Sequence, residues 1–143
     1  MEELLELRSL VERGNYAEAL TLIGEMEEMS KDDKINKIFS YAEILLLHLI
    51  KKHAENRTTR SWEASMRNAA YRIHYVNKRK KSGGVYISDE DLEQIFVDVW
   101  PVALLRASLE AFEGQFTETQ LANRLDPKAL KAEALDMIKS YSA

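Results

Sequence analysis

Residues 41–73 read Y-A-E-I-L-L-L-H-L-I-K-K-H-A-E-N-R-T-T-R-S-W-E-A-S-M-R-N-A-A-Y-R-I, and this stretch decides the fold. At 100° per residue, Ile35, Ile38, Phe39, Ala42, Leu45, Leu46, Leu49 and Ile50 fill one wide helical face, while Tyr41, Ile44 and Leu47 cover the other side. A helix that is apolar nearly all round is buried, in a core or against a partner chain. Beyond it, Trp62, Met66, Ala69, Ala70, Ile73 and Val76 recur at three- and four-residue spacing and form an inner stripe. The two alanines permit another helix to approach closely. On the outer side Arg60, Arg67, His74, Lys78 and Lys81 fall within about 60° of one another, bordered by Tyr71 and Tyr75. The expected architecture is all-α: a single compact bundle of about five to seven helices. Its buried central helix, near residues 31–53, packs on a helix over residues 59–81.

Working outward, Leu4, Leu7, Leu10 and Val11 make the start of the chain a short amphipathic helix, which Gly14 ends. A second helix is expected over residues 16–29. Ser30, with Asp33 three residues on, is then the N-cap of the central helix. The turn L-V-E-R-G-N-Y-A-E-A-L resembles the inner turn of a tetratricopeptide unit, yet no second copy follows, so it is read as an isolated helical hairpin. On the other side, Gly83-Gly84 breaks the chain, and Ser88 with Asp91 forms a capping box. Pro101 is expected to kink or restart the helix that Ser88 opens. Gly114 ends that helix, a short helical turn lies within residues 117–125, and Asp126-Pro127 opens a last helix over residues 128–141. Leu130, Ile138 and Tyr141 lie on its inner face. The chain is thus one helical domain, residues 1–143. It comprises an acidic hairpin (1–29), a central helix pair (31–81), a link (82–87) and C-terminal helices (88–143).

Length and composition narrow the function. A chain of 143 residues buries about two thirds of its unfolded surface, enough for its own core. Cysteine is absent, which excludes disulfides, thiolate metal sites and cysteine nucleophiles. Residues 44–50 are too short for a membrane span, and residues 1–10 lack the character of a secretory signal, so a cytoplasmic protein without membrane contact is expected. The net charge of -4 conceals a partition. Residues 1–50 and residues 82–143 each carry five Lys or Arg against eleven Asp or Glu, whereas residues 51–81 carry ten against two. The basic segment either pairs with its acidic flanks or serves an anionic partner.

Few residues point to chemistry. His48 and His53 lie about 140° apart on a helix, unlike the four-residue spacing of helical zinc ligands, so no metal is expected. No glycine-rich phosphate loop or nucleophile elbow occurs, no cofactor is implied, and the balance leans away from an enzyme. The carboxylates within residues 89–93 serve a helix start. His48 reads as a core histidine hydrogen-bonded to a neighbouring helix. Trp62 is either a core anchor or the wall of a pocket in which Arg60 or Arg67 grips an anion. The stripe of Arg60, Arg67, Tyr71, His74, Lys78 and Lys81 is the one candidate surface for an anion or nucleic acid, since cations meet phosphates and tyrosines stack on unpaired bases.

The elements E-I-L-L-L-H-L-I-K-K and R-T-T-R-S-W-E-A-S-M-R, with Ile73 beyond, together resemble a bacterial, largely cyanobacterial family, domain of unknown function family 29. Trp100-Pro101 with Ala103 and Ala107 resembles a later helix of that family, and L-D-P-K-A-L its closing Asp-Pro. Where that family often carries a glutamate-threonine-glycine turn followed by a cysteine, this chain has F-E-G-Q-F-T-E-T-Q-L. The resemblance implies a helical fold and no established activity. The expected role is therefore protein association, with a second copy as homo-oligomer or with another protein, and anion or nucleic-acid binding along the stripe as the alternative.

Overall fold

The computed structural model describes residues 2–79 and 83–142, and within them the chain is all-α. Six α-helices follow in order: α1 (Glu2–Glu12), α2 (Tyr16–Glu55), α3 (Arg60–Asn77), α4 (Asp89–Glu110), α5 (Glu118–Ala122) and α6 (Pro127–Lys139). Short 3-10 turns occupy Ala111–Gly114 and Ser140–Ser142. Two compact units are distinguished, Met1–Asn36 and Lys37–Ala143.

The first unit holds α1 and the start of α2. Gly14 adopts φ +76°, the left-handed conformation that lets Asn15 N–H reach back to the Leu10 carbonyl at 2.8 Å. Among the described residues of this unit only Leu10 and Ala19 are buried. Its charge is concentrated: residues 1–36 carry ten Asp or Glu against four Lys or Arg, a net -6, while residues 37–143 carry sixteen basic groups against fourteen acids, a net +2.

The expected break at Ser30 does not occur, since α2 runs without interruption from Tyr16 to Glu55. Met29-Ser30-Lys31 contains neither glycine nor proline. Extending a helix adds one hydrogen bond per residue fixed, whereas ending and renucleating it costs far more than a serine in mid-helix. Helix α2 stops at Asn56, which takes φ 52° as the left-handed residue beyond its end.

The core of the second unit is built on the later part of α2, where Ile38, Ala42, Leu45, Leu46, Leu49 and Ile50 are fully or almost fully buried and Leu47 nearly so. Met66, Ala69, Ala70 and Ile73 of α3 join them with almost no exposure, and Phe96, Ala103 and Ala107 of α4 complete the interior. Thr59 caps α3 by accepting from Trp62 N–H at 3.0 Å, Ser88 caps α4 by accepting from Asp91 N–H at 3.2 Å, and Asp126 caps α6 by accepting from Ala129 N–H at 3.2 Å. Thr117 and Gln120 form a full capping box at α5.

Of the two outcomes expected at Pro101, a restart does not occur, for α4 continues from Asp89 to Glu110 with the proline inside. The carbonyl that loses its donor belongs to residue 97, which lies on the exposed side where water can serve it. Helix α3 ends at Asn77 rather than near residue 81. There the buried Asn77 side chain donates to the Ile87 carbonyl at 2.9 Å and accepts its N–H at 2.8 Å, while Tyr86 N–H donates to the Asn77 carbonyl. Lys78 and Val85 form an isolated antiparallel bridge. This side-chain clamp offers the backbone a strand-like partner and so terminates the helix.

After Glu110 the chain makes a tight reversal. Phe112 (φ 49°), Glu113 (φ 57°) and Gly114 (φ 77°) are all left-handed, and a Cβ on Gly114 would lie 3.1 Å from the Leu109 carbonyl oxygen. For Phe112 and Glu113 that conformation costs about 1–2 kcal/mol each. Phe112 is held edge-on to Phe116 at 4.9 Å, with the Arg124 guanidinium 4.9 Å from both rings.

Candidate functional site

The basic segment has two ends with different surroundings. At the first, Trp62 opens α3 beside the close of α2. The Lys51 ammonium lies 4.7 Å and the Arg57 guanidinium 4.6 Å from its ring, both within cation–π range. Lys51 is buried, and its ammonium pairs with Glu110 of α4 at 3.2 Å. Lys52 pairs with Glu63 of α3 at 3.0 Å, and Arg57 with Glu55 at 3.2 Å. Trp62 itself is half-buried. It lines a cavity of about 420 Å³ together with Lys51, Arg57, Glu110, Phe112 and Glu113. Arg60 and Arg67 are not among the lining residues of this cavity.

Hydrogen bonds from Lys52 and then Thr58 hold the Glu63 carboxyl below its ordinary range. The Arg67 charge acts on it in the same direction, as the last of these causes. His48, one turn before Lys51, has its pKa lowered first by burial and then by the Lys51 charge. Its Nδ1 is buried without a hydrogen-bond partner, so the bond to a neighbouring helix expected for this histidine is not made at that atom. His53 Nε2 instead meets Glu133 of α6 at 2.9 Å. Among the described residues no group of three or more His, Asp or Glu side chains could hold a metal.

At the second end lies the outer face of α3. Arg60, Arg67 and Lys78 are exposed, and none of their side chains has an ion pair among the described residues. Lys78 stands just past the helix, in extended conformation, and Lys81 lies outside the described residues. Tyr71 and Tyr75 stack with ring centroids 6.2 Å apart and planes at 27°. A residue that the sequence reading placed on the inner face of the last helix joins them. Tyr141 meets Tyr71 edge-on at 5.5 Å, lies 6.1 Å from the His74 ring, and donates its hydroxyl to the Arg67 carbonyl at 3.5 Å. The three tyrosines are 46%, 47% and 37% exposed.

The structure thus gathers Arg67, Tyr71, His74 and Tyr141 into one surface and leaves Trp62 and His48 to the other end of the segment. Sequence reasoning missed Tyr141, Lys51 and Arg57 as neighbours of these sites. Tyr141 is 70 residues from Tyr71, and no local pattern reports such a pairing. Lys51 had one signal, a cation following directly on the apolar run, which foretells burial of its stem.

No curated protein and no solved structure matches the chain. The family model described as domain of unknown function DUF29 matches residues 11–140. That span takes in the capped helices, the Trp62 site and nearly all of the basic stripe's neighbours, and the chain belongs to the DUF29 family.

Proposed function

We propose that the chain is a protein-association module and that its docking element is the N-terminal hairpin, engaging the same hairpin of a second copy. One observation carries this reading. Leu4, Leu5, Val11, Tyr16, Leu20 and Met29 are each about half or more exposed. A segment of about 40 residues or fewer rarely sustains itself without added stabilisation. Leu4 and Val11 share one side of α1, and Tyr16 and Leu20 one side of α2, so each helix offers an apolar flank beside its acids. Pairing two such hairpins gives a four-helix arrangement in which those flanks are covered. The net -6 of each hairpin opposes the pairing, and salt screens that repulsion. Light scattering at micromolar concentration is expected to give a dimer that tightens as salt rises, and Leu20→Glu with Leu4→Glu is expected to give a monomer. A monomer at every salt concentration removes the proposal.

A second reading concerns the outer face of α3, favoured by the exposure of Arg60, Arg67 and Lys78, none of which forms an ion pair among the described residues. That face is proposed to bind a polyanion. Inorganic polyphosphate is expected to bind and to be released by salt, the opposite sign from hairpin pairing. Retention of binding in the variant Arg60→Ala with Arg67→Ala defeats this reading.

A further inference from the structure

We infer that the polyanion of the α3 face is a single-stranded nucleic acid, whose bases stack on Tyr71, Tyr75 and Tyr141 while its phosphates run along Arg60, Arg67 and Lys78. The inference rests on the polyanion reading of that face and adds the class of ligand. A line of cations alone selects charge, and any phosphate or carboxylate chain satisfies it. The tyrosines narrow the choice. Three aromatic rings, each more than a third exposed, meet at one place on the helix, and two come from α3 while the third arrives from the far end of the chain. Tyr71 and Tyr75 stand near-parallel, with planes at 27°, and each residue is nearly half exposed. Unpaired bases have open π-faces to lay on such a platform, whereas a duplex keeps its base faces stacked internally.

The cations stand in register with that platform. Helix α3 is about 26 Å long, and Arg60 and Arg67 lie on one line about 10 Å apart, with Lys78 past the other side of the tyrosines. The one acid within α3, Glu63, accepts from Lys52 and Thr58 at 3.0 Å each, and the Arg67 charge acts on it only as the last and smallest cause. The stripe is also part of the segment, residues 37–143, whose net charge is +2, although the whole chain is acidic. Three phosphate contacts to a single strand predict a fall in log K of about 2 per tenfold rise in salt, or roughly 20-fold between 50 and 200 mM.

The test uses the full chain and fluorescence anisotropy, with three probes of about 12 units: an oligouridylate, an abasic oligonucleotide of the same length, and inorganic polyphosphate. The oligouridylate is expected to bind most tightly, with the stated salt dependence. Tyr75→Leu and Tyr141→Leu, substitutions at exposed rings, are each expected to weaken it about tenfold while leaving polyphosphate binding unchanged. Arg67→Ala is expected to weaken all three probes. If polyphosphate and the abasic strand bind as tightly as the oligouridylate, or if the tyrosine variants bind it normally, the nucleic-acid assignment falls and the polyanion reading stands. If no probe binds, both fall. An acidic peptide that binds where the oligouridylate does not also overturns the assignment. Circular dichroism of each variant confirms that the loss is not one of folding.

Discussion

Lys51, Lys52 and Arg57 at one end of the basic segment, and Arg60, Arg67 and Lys78 at the other, are the same residue types with opposite fates. The first three are paired: each has a carboxylate within 3.2 Å, and two also lie over Trp62, although Arg57 itself stays exposed. The second three face solvent without an ion pair among the described residues. The difference arises from what is packed alongside. Around Trp62, α2, α3 and α4 converge and bring Glu110 to Lys51 and Glu63 to Lys52, while among the described residues the outer face of α3 meets the aromatic end of the chain at Tyr141. Internal complementarity therefore describes the cations around Trp62, and the proposed anion surface concerns the outer face of α3 alone.

The sharpest test of that contrast is stability. Trp62→Ala removes a large half-buried ring and two cation–π contacts, and is expected to cost about 3 kcal/mol in urea denaturation. Arg60→Ala with Arg67→Ala is expected to change stability by less than about 0.5 kcal/mol, as for surface positions without special contacts. Equal costs would abolish the distinction. A smaller effect is expected at the hinge between helix and bridge. Asn77→Ala leaves the Ile87 N–H and carbonyl without partners in a buried place, at a cost of about 2 kcal/mol, and releases the constraint that ends α3 before Lys78. Amide hydrogen exchange at Ile87 reports it, and slow exchange there in the variant would contradict the clamp.

The smallest effect is a pH dependence confined to the Trp62 end. Burial and Lys51 depress the His48 pKa below its ordinary value of 6.5, so the unfolded chain takes up a proton there before the native one does. Stability is full above that value and declines as pH falls from 6.5 towards the lower native pKa. His48→Leu is expected to flatten the decline, measured by denaturant midpoints at pH about 7.5 and about 5.5. An unchanged slope in that variant assigns the dependence to other groups.

What the sequence makes legible is local. The caps Ser88 and Asp126 each depend on one side chain reaching an N–H three residues on, and both form where the spacing places them, although the Asp91 side chain does not complete the expected capping box at Ser88. The burial of Leu45, Leu46, Leu47 and Leu49 follows from a helix apolar on every side. Ser30 misleads because its capping signature is also compatible with helix interior, and nothing adjacent forces a break. The early end of α3 is hidden because its cause, the grip of Asn77 on Ile87, is tertiary. The same holds for the site: the line from Arg60 to Lys78 follows from periodicity, whereas the arrival of Tyr141 and the covering of Trp62 depend on contacts far apart in sequence.

The left-handed turn at Phe112 and Glu113 carries an implication for design. Two side-chain-bearing residues occupy backbone that glycine adopts without penalty, so the fold holds about 1–2 kcal/mol per residue in reserve there. The chain is thus below the stability its own topology permits, and the shortfall sits at the rim of the Trp62 cavity. A protein engineer seeking a hardier scaffold would begin with glycine at position 113, and would leave Phe112 to its contact with Arg124.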